Sequence, residues 1–426
     1  MNSATVSANT PWVLVLATAH SYRLEAFQSA ADRMGVAVIR GIDAPPAHVS
    51  AGGNTLRLDF RDPARSLRQV TAFARRQPIR AVIPTDDTAV VLAARIGAAL
   101  GLRHNSPAAA EAARNKYRMR TLLAREGAGL RGPWFRLYAA DARPEAAAVE
   151  APYPCVLKPT GLSGSRGVIR ADNPGEFVAA FKRVGAIAAA AGSAEILVEG
   201  YIPGRELALE GLLSAGKLKV LALFDKPDPL EGPFFEETIY VTPSRENAAT
   251  QAAIAVCVGE AARALGLREG AVHAEVRVNA EGPWLIEAAG RSIGGLCAQT
   301  LRFAHNADVS LEELILRQAL GLEDDGIERE NRAGGVMMIP IPAAGTLLGW
   351  EGGEAALAVP GVESIEMTAR LNYPVVPLPE GDSYLGFIFA RGDTPGEVDA
   401  ALRAAHTALH FQIEPALAMA AAPGPA

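Results

Sequence analysis

The sequence predicts a mixed α/β protein in which an open parallel α/β domain precedes a small α+β module and a C-terminal α+β segment. Three observations carry this. From Trp12 to Thr85 short apolar runs alternate with amphipathic stretches, the pattern of a parallel sheet covered on both faces. From Pro152 the texture changes to strands paired through tight turns. At 426 residues, 49% hydrophobic and 21% charged, the chain has the composition of a folded globular protein and the length of two or three domains.

"WVLVLA" opens the first strand, an amphipathic stretch runs through Met34, and "VAVIRG", a helix near residues 64 to 76 and "IRAVIPT" continue the alternation. "HNSPAAAEAARNKYRMRTLLAREG" is helical, with Ser106 and Pro107 at N-cap and N1 and the periodic pattern ending at Gly127. "CVLKP" and "GVIRAD" are strands on either side of a glycine-rich loop, and Asn173 with Pro174 starts the helix "GEFVAAFKRV". "EILVEGYI", "ELALEGLL" and "LKVLALF" are antiparallel strands, the last two turning at Ala215 and Gly216. A helix around 247 to 265 leads to the strands "VHAEVRVN" and "PWLIEAAG". After a helix near 309 to 320, the acidic "EDDGIEREN" separates off a remainder with strands "VMMIPIP", "SIEMTA" and "YLGFIFARG" and the helix "TPGEVDAALRAAHTALHF". The terminal "AAAPGPA" is expected to fray.

The net charge of -6 carries no basic block, so neither nucleic acid nor an anionic membrane is an expected partner, and small-molecule chemistry is. The polar N-terminus lacks the pattern of a signal peptide, and no run approaches the roughly 18 apolar residues of a membrane span. A cytoplasmic location is expected. Cys155, Cys257 and Cys297 are far apart and are expected to be core thiols.

Chemistry concentrates in "VLKPTGLSGSRGVIRADN". Gly161, Gly164 and Gly167, interleaved with Ser163, Ser165 and Arg166, can expose backbone N–H groups to phosphate oxygens. A strand follows rather than a helix, and G-K-[ST] is missing, so neither the P-loop nor the dinucleotide fingerprint fits. The plain alternative is an ordinary hairpin connection. Lys158 ends the preceding strand and Lys116 begins a helix upstream; together they would clamp a polyanion, and singly each would be a surface lysine.

Glu275 and Glu287 interrupt two apolar strands joined by a tight turn, so both carboxylates are expected on one face. They suit a Mg²⁺ site, since that cation takes oxygen ligands; the alternative is a salt-bridged pair. Arg291, four residues on, could aim its fork at a phosphoryl group or a carboxylate. "SIGG", from Ser292 through Gly294 to Gly295, could present amides to a substrate carboxylate.

In their order along the chain these motifs resemble the ATP-grasp superfamily. "RNKYRMRTLLAREG" is similar to its first lysine helix and "VLKPTGLSGSRGV" to its second lysine and flap. "ILVEGYIPGREL" is similar to its hinge and ribose segment, and "EVRVNAEGPWLIEAAGR" to its metal strands and arginine. "EAAGR" departs from the usual E-x-N-P-R, with Ala289 and Gly290 where an asparagine and its neighbour would stand. With "GPFFEETIYVTPS" and "GGVMMIPIPAAGTLLGWEG", this resembles the L-amino-acid ligases, the dipeptide-forming group that includes bacilysin synthetase.

The resemblance implies an ATP-grasp fold with an N-terminal α/β domain over 1–113, a core over 114–322 with a flexible lid at about 130–212, and a C-terminal α+β domain over 323–426. It implies that Lys116 and Lys158 contact ATP phosphates under a flap of Gly161, Ser163, Gly164, Ser165 and Gly167. Glu199, Gly200, Tyr201 and Ile202 would line the adenine and Glu206 the ribose. Glu275 and Glu287 would hold Mg²⁺, with Mn²⁺ able to substitute, and Arg291 would stabilise the γ-phosphoryl group in flight. The implied activity is ATP-dependent joining of a carboxylate and an amine, both from amino acids, through an acyl phosphate with release of ADP and phosphate. Glu236, Glu237 and His273 are candidate bases for the amine, Glu237 and His273 also being placed at the substrate, and a homodimer is possible in this group. The rival readings are a biotin-carboxylase-like enzyme, a formyl-phosphate-using enzyme, and a nucleotide-binding regulatory protein.

Overall fold

The computed structural model describes residues 10–19, 21–44, 53–127, 129–304, 309–323 and 326–415; "AAAPGPA" and part of the acidic loop lie outside them. The N-terminal segment runs β1 (Trp12–Thr18), α1 (Arg23–Met34), β2 (Ala37–Asp43), β3 (Thr55–Leu58), α2 (Pro63–Ala74), β4 (Ile79–Pro84) and α3 (Val90–Leu100). Its sheet has the order β3-β2-β1-β4 with parallel pairs throughout. β1 is buried along nearly its whole length, as its continuous apolar run requires of a central strand.

The predicted helical segment after His104 divides into α4 (Pro107–Arg114) and α5 (Lys116–Glu126). Asn115 stands in extended backbone between them and caps α5 by accepting the Arg118 N–H. An asparagine amide offers the chain this local alternative to continuing a helix, and periodicity does not register it.

The middle of the chain runs β5 (Phe135–Ala139), α6 (Pro144–Glu150), β6 (Cys155–Pro159), β7 (Ile169–Ala171), α7 (Pro174–Ala190), β8 (Glu195–Gly200), β9 (Arg205–Ser214), β10 (Lys217–Asp225) and β11 (Ile239–Thr242). Then follow α8 (Ala248–Leu265), β12 (Gly270–Asn279), β13 (Gly282–Ala289), the short β14 (Phe303–Ala304), α9 (Leu311–Leu320) and β15 (Glu328–Arg329). The last segment holds β16 (Ala333–Ile339), β17 (Gly345–Glu351), α10 (Gly353–Leu357), β18 (Val362–Met367), β19 (Tyr373–Val375), β20 (Gly386–Gly392), α11 (Pro395–Ala408) and β21 (His410–Pro415). α11 begins with a full capping box of Thr394 and Glu397.

Two compact units result. One gathers Met1–Leu137, Glu199–Pro229 and Thr242–Arg332; the other gathers Tyr138–Val198, Leu230–Val241 and Ala333–Ala426. The first unit contains the parallel sheet and the antiparallel run β13-β12-β9-β10. In that run Leu207, Leu209, Val272, Ala274, Val276 and Leu285 pack on Ile254, Val258 and Ala261 of α8 and on Met119 and Leu123 of α5. Strand residues alternate between faces, so the other face is left to the residues between these apolar ones.

The second unit contains the sheet β5-β8-β6-β7, the run β11-β16-β20-β18 and the small sheet β19-β17-β21. Cys155, Leu157 and Ile169 form one core with Phe177, Phe181 and Val184 of α7; β16, β20 and α11 build another through Met337, Ile339, Ile388, Val398 and Leu402. All three cysteines are buried thiols, and burial pushes Cys155 up to about 12 and Cys257 up to about 11.

Candidate active site

The face of β9, β12 and β13 opposite α8 is polar. Pairing sets His273 against Glu210 and Ala289, Glu275 against Ala208 and Glu287, and Arg277 against Glu206. Alternation therefore brings six ionisable side chains to one side of three strands, with Glu275 and Glu287 directly opposite each other. The register settles the sequence expectation that these two carboxylates share a face. Lys226, at the end of the apolar strand β10, places Nζ 2.8 Å from Glu206 and 3.0 Å from Glu275. Arg277 gives Glu206 a second donor at 2.8 Å and also donates to the Ile202 carbonyl at 2.7 Å. Glu206 is thus buried between two cations.

Lys116 is the first residue of α5, and its ammonium lies 2.9 Å from Glu287. Burial would lower its pKa, but Glu287, Asp87 and Glu275 outweigh that and hold it above the ordinary lysine value. One helical turn on, Arg120 donates to both oxygens of Glu199 at 2.7 and 3.2 Å and to the carbonyls of Leu285 and Ile286 at 2.8 and 2.9 Å. Positions i and i+4 share a helix face, so Arg120 fixes against β13 the same face that carries Lys116 to Glu287. The Glu199 side chain is committed to Arg120, and Gly200 donates its N–H to the Trp134 carbonyl. Tyr201 stacks under Arg277, whose guanidinium lies 5.1 Å from the ring centre.

Arg291 follows β13 and grips Asp87 with a two-pronged contact at 2.9 and 2.8 Å, while its third nitrogen donates to the Ser292 carbonyl. Burial alone would raise Asp87, but Arg291, with Lys116 and His273, takes its carboxyl below the usual range; Arg291 is correspondingly held above the ordinary arginine value against its own burial. The next residues are pinned from two sides. Arg23 donates to the carbonyls of Ser292 and Ile293 and to the Ser292 hydroxyl, and Glu210 accepts the Ile293 N–H at 2.9 Å. Gly294 and Gly295 follow, half-buried, Gly295 with φ +59.

Beside that loop stands a buried pair, His273 Nδ1 3.7 Å from Glu210. Burial, reinforced by Arg291, takes His273 down to about 3, and burial pushes Glu210 up to about 8. Both side chains are therefore uncharged near neutrality, and among the described residues His273 Nδ1 and Glu210 Oε1 are buried with no hydrogen-bond partner.

Lys158, the glycine loop and Glu237 belong to the second unit. Lys158 is buried and shares the strand face of Val156, away from the core that receives Cys155 and Leu157. Gly161, Ser163 and Gly164 are exposed, and Gly164, Ser165 and Gly167 all take left-handed backbone. Gly167 lies against Pro159, so that a Cβ there would sit 2.9 Å from the proline ring. Glu237 accepts from the Tyr240 hydroxyl at 2.7 Å, and burial raises the neighbouring Glu236 carboxyl.

Asp87, Arg120, Lys226, Arg277, Glu210 and Arg23 were not singled out by motif. Two of them carry a readable signal. Glu210 interrupts "ELALEGLL" as Glu275 interrupts "VHAEVRV", and Lys226 ends an apolar strand just as Lys158 does. Asp87 and Arg23 act at positions remote in sequence from Arg291 and Ser292, and only the fold brings them there.

Comparison with known proteins adds to this geometry. Residues 151–300 match the ATP-grasp domain, and residues 337–414 match the L-amino acid ligase C-terminal domain 2. The solved L-amino acid ligase from Bacillus licheniformis is 25% identical and superposes with a TM-score of 0.78 over 96% of this chain and 100% of that one. Dapdiamide A synthase of Enterobacter agglomerans is 28% identical over 265 residues, 60% of this chain and 61% of the synthase. Carnosine synthase 1 of Gallus gallus is 29% identical over 304 residues, 66% of this chain and 32% of that enzyme. The chain spans less than two thirds of the length of these curated relatives. Among the described residues no helix is long and apolar enough to cross a membrane. The chain thus carries an ATP-grasp domain followed by the C-terminal domain 2 of the L-amino acid ligases.

Proposed function

We propose that the protein is an ATP-dependent ligase that joins the carboxylate of one amino acid to the amine of another through an acyl phosphate. The observation that carries this is the register of β12 and β13, which sets Glu275 opposite Glu287 with Lys116 and Arg291 in the same polar cluster. A carboxylate does not acylate an amine unaided, because its leaving group would be oxide. Transfer of the γ-phosphoryl group of ATP to a carboxylate oxygen releases ADP and leaves a mixed anhydride; the amine then attacks the carbonyl carbon, phosphate departs and the amine loses a proton. Such transfer asks a protein for positioning and charge neutralisation rather than for a nucleophilic side chain.

The residues divide that work. Lys116, its charge secured by three surrounding carboxylates, draws the phosphates toward β13, and Arg291 presents a guanidinium oriented by Asp87 to the group in transfer. Lys158 and the loop from Gly161 to Gly167 cover the nucleotide and keep water from the anhydride. Glu199 to Ile202 contribute backbone to the base, their side chains being engaged elsewhere in the case of Glu199, and Glu206 faces the ribose. Two opposed carboxylates are the hard oxygen donors that a divalent cation takes, so Glu275 and Glu287 fit Mg²⁺, or Mn²⁺ in its place. When bound, the cation supplies charge neutralisation on the phosphate oxygens. In this reading His273, two residues from Glu275, remains the candidate base for the amine, and Ser292, Gly294 and Gly295, in a loop held by Arg23, would meet the substrate carboxylate. Glu237 stays in the substrate role given it from sequence, and the division 1–113, 114–322 and 323–426 is retained as the functional one.

The direct test is isotopic. With one amino acid labelled with ¹⁸O in its carboxylate, turnover should deliver one ¹⁸O into inorganic phosphate with formation of ADP. Unlabelled phosphate, or label in AMP, would overturn the acyl-phosphate route.

A further inference from the structure

The glycine loop between β6 and β7 is tied to the C-terminal segment of its own unit. Gly167 donates its backbone N–H to the Pro379 carbonyl at 2.8 Å, Arg166 reaches Asp382 at 3.4 Å, and Arg183 of α7 holds both oxygens of Glu380 at 2.6 and 2.8 Å. The anchoring turn is itself rigidly formed. Gly381 donates to the Pro377 carbonyl at 2.9 Å and passes so close to the Val376 carbonyl that any Cβ there would collide with it. Arg183 is also fixed from its other side, stacked 5.0 Å from the Phe234 ring, and it presents its fork from the helix that underlies the loop. The pairing holds the Glu380 carboxyl below its usual range and Arg183 above its own, each through the hydrogen bonds between them first.

We infer that the segment from Pro377 to Asp382 is the anchor that sets the position of the glycine loop, making Glu380 and Asp382 positioning residues for the cover over the nucleotide phosphates. This rests on the reading of that loop as the phosphate cover. It also gives the C-terminal domain a part in the ATP half-reaction. A loop of three glycines with exposed tips has little intrinsic reason to stay in one place, and two ion pairs with one backbone hydrogen bond supply it. Arg183 and Glu380 are each a little under half exposed, so the tie is screened by salt and opens readily, as a cover that must admit and release nucleotide requires.

The test uses the full chain with Glu380→Ala, and Arg183→Glu with Glu380→Arg as the charge-reversed double. Hydrogen exchange across residues 160–168 should quicken about two- to fivefold in Glu380→Ala, from the worth of an exposed ion pair, and return toward wild type in the double. With ATP and amino acids, the single variant should release more ADP per amide formed, because water reaches the anhydride. Unchanged exchange in residues 160–168 would overturn the anchor whatever the enzyme does. Faster exchange with an unchanged ADP-to-amide ratio and an unchanged KM for ATP would overturn the loop as phosphate cover, and the positioning role with it.

Discussion

Arg120→Met is the substitution with the largest consequence worked from the structure. Arg120 and Glu199 expose 3% and 4% of their side chains, and the arginine donates to two carboxylate oxygens and two strand carbonyls. Methionine fills much of the volume but takes the Arg120 charge away from the buried Glu199 carboxylate, and breaking a buried pair costs about 3–5 kcal/mol. Because Arg120 joins α5 to β13, that loss should localise there, reducing hydrogen-exchange protection of α5 and β13 by roughly 10²- to 10⁴-fold. Adding Glu199→Leu removes that carboxylate and should recover part of the protection, the residual deficit belonging to the carbonyls of Leu285 and Ile286. Exchange mass spectrometry over the peptides of α5 and β13 in the two singles and the double reads this directly. An Arg120→Met protein with protection within about fivefold of wild type, or a double no better than the single, would refute the account of α5 as a helix fastened through Arg120.

Lys116→Met should lower ADP formation by about 10²-fold or more, as loss of a charged group at a transferring phosphoryl does, without loss of secondary structure; steady-state ADP release and circular dichroism check it. Asp87→Asn keeps the shape but not the charge beside Arg291, and kcat should fall by about ten- to hundredfold with KM for ATP nearly unchanged, whereas a rise confined to KM would place Asp87 outside the chemistry. Glu210 has a folded pKa of about 8 against an ordinary 4.5, so the folded state holds a proton that the unfolded chain releases. Its contribution is complete below about pH 4.5 and drains away as pH rises toward 8, at up to about 1.4 kcal/mol per pH unit; Glu210→Gln should remove that slope in urea midpoints measured from pH 5 to 8, and parallel wild-type and variant curves would contradict it.

How much of this was legible beforehand differs by residue. Apolar runs and caps gave most elements, because burial and capping are local: Ser106 and Asn173 cap α4 and α7 as their neighbours require. Glu275 and Glu287 were legible as a pair, because period-two alternation and a tight turn leave little freedom in register. Their present partners were not. Lys226 and Lys116 reach them from the end of β10, one strand beyond β9, and from a helix more than a hundred residues upstream. The division of α4 from α5 was hidden in the side-chain hydrogen bond of one asparagine. Asp87 illustrates the general limit. "PTDDTA" after an apolar strand marks a loop with acids, but which acid meets Arg291 depends on the docking of a parallel sheet against an antiparallel one. Where "EAAGR" departs from E-x-N-P-R, Ala289 is buried opposite His273, so a small apolar side chain stands in place of the asparagine.

The most direct measurement of the central claim is product analysis of the purified protein with ATP, Mg²⁺ and a pairwise matrix of amino acids, with hydroxylamine as an alternative amine. Acyl-phosphate ligation predicts ADP and phosphate in equal amounts, dipeptide for particular pairs, and hydroxamate of the same carboxylate partner when hydroxylamine replaces the amine. AMP with pyrophosphate, or ATP binding without any ADP across the whole matrix, would contradict it.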